Sequence, residues 1–199
     1  YSAPKGLFIG VIAGGEPALT NSIEGAEDKP EAALQDLQKY NINENDTLIG
    51  ISCSGAADYV VSALDHAKEN GAKTIYLVTN PNPYKMTRVD MIIRAITGPE
   101  VVTGSTRMKA GTATKLILNM ISTATMIKLG KVYGNLMVDL MAVNDKLVDR
   151  GTRIIHEVTG IDYTQSGKLL TESGMSVKTG IVMGMLDCSK AAAEQALEE

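Results

Sequence analysis

Two short, uninterrupted apolar runs punctuate the first half of the chain, Asp46–Ser52 (DTLIGIS) and Lys73–Asn80 (KTIYLVTN), each bounded by turn residues. Between them CSGAADYVVSALDHAKENGAK has the pattern of a loop, an amphipathic helix and a stop. Continuous apolar runs of this length are strands buried on both faces, and a helix-length crossover between two of them predicts parallel pairing. A third apolar run, Val89–Ile96, extends the series. Upstream, DKPEAALQDLQKY carries a proline and acids in its first turn and sets Ala33, Leu34, Leu37 and Tyr40 on one face, which predicts a helix starting at Glu27–Asp28. The run Gly6–Ala13 (GLFIGVIA) fits either a strand or a short buried helical turn before Gly14-Gly15-Glu16 breaks it.

Beyond the third run the period changes. Gly98–Asn119 (GPEVVTGSTRMKAGTATKLILN) opens as a glycine-punctuated turn and passes through Ser105, Thr106 and Thr112 into a helical repeat at Leu116, Met120, Ala124 and Ile127. The repeat continues to Leu129, breaks near Gly130 and Gly134, and resumes as helix through Leu136, Leu140 and Leu147 toward Arg150. Met108, Met120, Met126, Met137 and Met141 fall on this span at helical spacing, which predicts core packing and a subunit contact rather than a cofactor site. From Ile161 follow three short helical segments, IDYTQSGKLLTESG, SVKTGIVMGML and SKAAAEQALEE, delimited by Gly160, Gly174 and Ser189. The whole predicts an α/β domain over 1–150 and a small helical subdomain over 151–199.

Composition narrows the function. With 199 residues, 44% of them hydrophobic, and mean hydropathy +0.01, the chain can bury one sizeable core. A net charge of -4 and the absence of a basic run argue against nucleic acid and anionic membrane surfaces as partners. No stretch approaches the roughly 18 apolar residues of a membrane span, and the start does not resemble a signal peptide, so a cytoplasmic protein is expected. Cys53 and Cys188 are far apart and His66 and His156 are the only histidines, which supports neither a disulfide framework nor a metal centre.

In a parallel α/β sheet, ligands bind beyond the carboxyl ends of the strands. Ser52, Ser54 and Gly55 occupy that position after the first run, where their spacing fits a binding loop and an ordinary strand-to-helix turn equally well. At the Gly98–Asn119 stretch, hydroxyls, backbone N–H groups, Arg107 and Lys109 converge on a helix start, where a phosphate ester would be stable. Serine and threonine are also the usual N-caps of helices that bind nothing. Glu24 and Glu27 lie in the turn before the first helix, where acids complement the helix dipole.

Four blocks in order, VIAGGE (11–16), IEGAED (23–28), GPE followed by TGSTRMKAGTA (98–113), and GNLMVDLMAVNDKL (134–147), resemble a sugar-phosphate-binding family. Its members include the bacterial N-acetylmuramic acid 6-phosphate etherases, the nearer match, and the animal glucokinase regulatory protein. The resemblance implies a flavodoxin-like, three-layer αβα sandwich, the sugar isomerase domain. It also implies a small-molecule sugar phosphate as ligand, a homodimer, and a lyase reaction that needs no cofactor or metal. By the same resemblance Glu27 is a catalytic acid/base, Glu24 lines the sugar, and Glu100 is a secondary catalytic candidate. Ser52, Ser54, Gly55, Ser105, Thr106 and Arg107 form the ligand loops. The family's partner glutamate, a first strand and a glycine-rich phosphate loop would lie upstream of Tyr1. Two departures stand out: Ala56-Ala57-Asp58 where etherases carry Arg-Thr-Pro, and Thr106 for a more usual serine. The alternatives are a non-catalytic sugar-phosphate sensor, which would need the loops and no carboxylate pair, and a sugar-phosphate isomerase.

Overall fold

The computed structural model describes residues 1–198. They form two compact units, one of Ile9–Met120 and one of Tyr1–Phe8 with the chain from Ile121 on.

The first unit is built on three parallel strands in the order β1 (Thr47–Ile51), β2 (Lys73–Val78) and β3 (Met91–Arg94). Register pairs Gly50 with Tyr76 and Tyr76 with Ile92, so these three residues share one face of the sheet. Helix α2 (Asp58–Glu69) packs on that face through Leu64 and Val60, and α1 (Pro30–Gln38) packs on α2. Gly50 lets α2 come this close, because a β-carbon there would lie 2.7 Å from Leu64 Cδ1 and 2.8 Å from Val60 Cγ1. Tyr59, buried between α1 and α2, donates to Asp36 Oδ2 at 2.7 Å; burial first, then the carboxylate, push its phenol up.

The connection from β2 to β3 contains no helix. It runs extended and is fastened near its end by Asp90, whose carboxylate accepts from Lys68 Nζ at 2.6 Å and from Thr74 N and Oγ1 at 2.9 Å each. The Lys68 bond and then those from Thr74 hold the Asp90 carboxyl well below its usual range.

The run at Gly6–Ala13 is neither strand nor helix: it is irregular chain that begins and ends in turns, and Leu7, Phe8, Ile9, Val11 and Ile12 are exposed. No strand among the described residues pairs with it, so its apolar character has no sheet to join. The first helix starts later than the sequence suggests. Ala26–Asp28 form a separate 3-10 turn, and α1 begins at Pro30.

A 20-residue helix, α3 (Lys109–Lys128), follows the third strand and carries the chain from the first unit into the second. The helix expected to resume through Leu136 and Leu140 is instead a short hairpin, β4 (Val132–Tyr133) with β5 (Leu136–Met137), followed by extended chain. Gly134 with φ 58° and Asn135 supply its two-residue turn. Of the five methionines expected in the core only Met126 is buried, Met137 is half-buried, and Met108, Met120 and Met141 are exposed. Apolar residues are spread around α3 rather than gathered on one stripe, so helical spacing alone does not bury them.

The remaining helices, α4 (Asp145–Thr159), α5 (Tyr163–Glu172), α6 (Val177–Leu186) and α7 (Lys190–Glu198), form a bundle around Ile154, Ile155, Leu170, Val177 and Ile181. Gly160 and Gly174 fall between them as the sequence predicts, and residue 150 lies inside α4. Among the described residues no helix is long and apolar enough to cross a membrane.

Candidate functional site at the carboxyl edge of the sheet

Ser52, Cys53, Ser54 and Gly55 leave β1 at its carboxyl end and turn into α2. The loop is held from within. Gly55 N–H is shared between the Ser52 carbonyl and Ser52 Oγ at 3.1 Å each, and Ala56 N–H donates to Ser54 Oγ at 3.2 Å. Gly55 has φ 75°, and a β-carbon there would lie 2.3 Å from Pro83 Cβ, so both conformation and space require glycine.

The segment after β2 is fastened along this loop. Thr79 N and Asn80 N donate to the Cys53 carbonyl at 3.1 Å, Asn80 Nδ2 donates to the Ser54 carbonyl at 3.3 Å, and Lys85 N donates to the Gly55 carbonyl at 2.8 Å. Asp58, the anion that departs from the etherase pattern, is paired with Lys85 Nζ at 2.5 Å. The departure therefore brings a cation to the loop as well. Both side chains are about two-fifths exposed, so the pair contributes little to stability. The α2 N-terminus at Ala57 has no side-chain cap, leaving amide donors beside the serine loop.

At the start of α3 the cap is Glu100, not the hydroxyls of the preceding loop. Its Oε1 accepts from Ala110 N at 3.0 Å and its Oε2 from Lys109 N at 3.1 Å, while Lys109 Nζ donates to the Pro99 carbonyl at 2.9 Å. The Ala110 amide and then the Lys109 amide hold the Glu100 carboxyl below its usual range. A carboxylate so held is a poor base. Ser105 and Thr106 bond within their own turn: Ser105 N donates to the Val102 carbonyl at 3.0 Å, and the Thr106 carbonyl accepts from Gly111 N at 3.0 Å. Arg107 is exposed, and these contacts do not bring Ser105, Thr106 or Arg107 to Ser54.

Glu24 lies in the turn before Ala26–Asp28, and Glu27 lies within that 3-10 turn. Buried Ala26 anchors the turn, which packs on α2. Both carboxylates are exposed, and that of Glu27 has no hydrogen bond or ion pair among the described residues.

Two residues here escape sequence reading. Lys85 looks like any loop lysine until the fold sets it against Asp58. Tyr76 reads as one more apolar position of a buried strand, yet its hydroxyl lies beneath the serine loop.

A parallel α/β sheet with a serine loop at its carboxyl edge is the arrangement of a sugar isomerase, or SIS, domain, and the family model of the glucokinase regulatory protein N-terminal SIS domain matches residues 2–68. Among curated proteins, the chain is 53% identical over 198 residues to an N-acetylmuramic acid 6-phosphate etherase of Oceanobacillus iheyensis, covering 100% of this chain and 67% of the relative. It is 52% identical to N-acetylmuramic acid 6-phosphate etherase 1 of Bacillus licheniformis, covering 100% and 66%. Against the etherase of Caldanaerobacter subterraneus subsp. tengcongensis it is 50% identical, covering 100% and 65%. The chain belongs to the N-acetylmuramic acid 6-phosphate etherase family. It spans about two thirds of the length of these relatives.

Proposed function

We propose that the protein of which this chain is a part cleaves the D-lactyl ether of N-acetylmuramic acid 6-phosphate, giving N-acetylglucosamine 6-phosphate and D-lactate. The reaction would serve cytoplasmic recycling of cell-wall amino sugars. The observation that carries this reading is the Ser52–Gly55 loop at the carboxyl end of β1, beside the uncapped start of α2, in a chain half identical to etherases.

In the proposed reaction the ring-opened sugar presents an aldehyde that acidifies the C2 proton. A carboxylate removes that proton, the C3–O bond breaks, and a carboxylic acid protonates the departing lactate. Water then adds across the unsaturated aldehyde and restores a hydroxyl at C3. Glu27, exposed and unpartnered, is our choice for one of the two carboxyl groups. Glu24 lies beside it to line the sugar, with Ser52, Ser54 and Gly55 on the phosphate and Ser105, Thr106 and Arg107 as a second ligand loop. Glu100 ranks behind Glu27 because its lone pairs are engaged by α3.

The same reading includes the sugar isomerase domain over 1–150, the helical subdomain over 151–199, and a three-layer sandwich. Supporting the third layer, the sheet face opposite α2 is apolar, with Ile49, Ile75 and Met91 in register, and Met91 is 55% exposed. Exposed Leu116, Met120 and Ile127 on α3 support a homodimer.

The test is release of D-lactate from N-acetylmuramic acid 6-phosphate by the full-length protein. Binding without release would instead favour the sensor, a reading that the Ala56-Ala57-Asp58 departure supports. Neither binding nor release would end both.

A further inference from the structure

Beneath the serine loop lies a hydroxyl without a partner. Tyr76 is wholly buried at the centre of β2, its hydroxyl oxygen would lie 3.3 Å from a β-carbon at Gly55, and among the described residues it makes no hydrogen bond. Buried phenols are normally paired, because desolvating the hydroxyl without a partner costs stability. A phenylalanine would fill the same space under the loop without that cost. The oxygen therefore points to a state of the loop in which it has a partner.

Ser52 is the group placed to be that partner. Its side chain is buried, and its hydroxyl opposes the upward push that burial exerts on the Tyr76 phenol, without meeting hydrogen-bond geometry. Ser52 Oγ instead accepts one branch of the Gly55 N–H, whose other branch goes to the Ser52 carbonyl. That amide is split between two acceptors at 3.1 Å and is weakly held by each.

We propose that Tyr76 is a positioning residue of the ligand loop: when an anionic phosphate-ester oxygen draws the Gly55 amide outward, the Tyr76 O–H replaces it as donor to Ser52 Oγ, and the Ser52 O–H donates to the ligand. Each proton stays on its own oxygen or nitrogen, and only acceptors are exchanged. The inference rests on the reading that the Ser52–Gly55 loop takes a sugar phosphate.

The experiment uses the full-length protein with N-acetylglucosamine 6-phosphate as probe, and measures binding by calorimetry and ligand-free Tm. Tyr76→Phe should keep or raise the ligand-free Tm and weaken binding by about 3–10-fold, the worth of one hydrogen bond. In a Ser52→Ala background the same change should have no further effect on binding, a coupling that loss of packing would not produce. In the wild type, the 13Cζ resonance of Tyr76 should move on addition of the probe.

If Ser52→Ala and Ser54→Ala weaken binding while Tyr76→Phe binds like wild type, the proposal fails and the loop reading stands. Additive effects, a static Tyr76 resonance, or a fall of several degrees in the ligand-free Tm of Tyr76→Phe would each overturn it too, the last by showing that the hydroxyl is already partnered. If the wild type does not bind the probe, or both serine variants bind it unchanged, the loop reading falls and the proposal with it.

Discussion

The helices of the two units begin in different ways. In the C-terminal unit each of α4, α5 and α6 opens on a residue that caps it locally. Asn144 Oδ1 accepts from Leu147 N at 3.0 Å, Asp162 Oδ1 from Thr164 N at 2.9 Å and Gln165 N at 3.2 Å, and Ser176 Oγ from Thr179 N at 3.2 Å. In the sheet unit α1 and α2 open on Lys29 and Ala57, neither with a side-chain cap, and α3 takes its cap from Glu100, nine residues upstream. Local caps finish a helix and need nothing more. Around the sheet, the amide donors of α2 are left open and those of α3 are held by a distant side chain, so helix starts that contribute only stability differ from those that can also serve a ligand.

The largest test of this contrast is Glu27→Gln in the full-length protein. Turnover should fall by about 10²–10⁴ while the affinity for sugar phosphate changes little, because a general base acts in the transition state. Unchanged turnover would remove Glu27 from the reaction. Next comes Gly55→Ala, whose β-carbon would overlap Pro83 at a backbone angle that L residues rarely adopt. A loss of about 1–3 kcal/mol in urea unfolding is expected, together with weakened ligand binding as the loop is forced to shift.

Smaller is Asp162→Ala, which should cost about 0.5–2 kcal/mol in the same assay and leave ligand affinity unchanged. An effect on binding would show that the caps of the two units are not separable in function. The smallest effect concerns Glu100→Gln and is read as Tm against pH. Because the folded-state pKa of Glu100 lies below its ordinary value of 4.5, its stabilisation is present above that value and lost as pH falls through the folded pKa. Wild type should therefore melt above the variant near pH 7, and the gap should close on acidification; a gap constant with pH would mean that charge at this cap is irrelevant.

Where structure follows from a few adjacent residues, the sequence was a sound guide. Thr47–Ile51, Asp58–Glu69 and Lys73–Val78 fall inside the segments expected, because apolar runs and an amphipathic stripe are local signals; the expected burial on both faces holds for most of β2 but not for β1, of which only Gly50 is buried. The hairpin at Val132–Met137 was hidden because Leu136, Leu140 and Leu147 keep a helix-like spacing; the signal that could have exposed it is the Gly134-Asn135 pair between two short apolar segments. At the candidate site, the position of Ser52, Ser54 and Gly55 just beyond a strand was legible. Lys85 was not, since the Asp58 that defines its role is 27 residues away, nor was Glu100 as a cap, since no capping motif spans nine residues. The fold brings such pairs together, and no short-range pattern records them.

The carboxylate at the head of α3 also behaves as a tethered competitor. A group joined by a short flexible stretch of chain is presented at an effective concentration on the order of millimolar. Any anion approaching Lys109 N and Ala110 N meets that resident acceptor first, and its apparent affinity there scales with the fraction of molecules in which Glu100 has let go. Dilute monovalent anions with one weak contact lose this contest. If the proposed second ligand loop takes a sugar phosphate, a dianionic ester anchored at a second point would win it, and the head of α3 would discriminate by strength of attachment before shape is consulted.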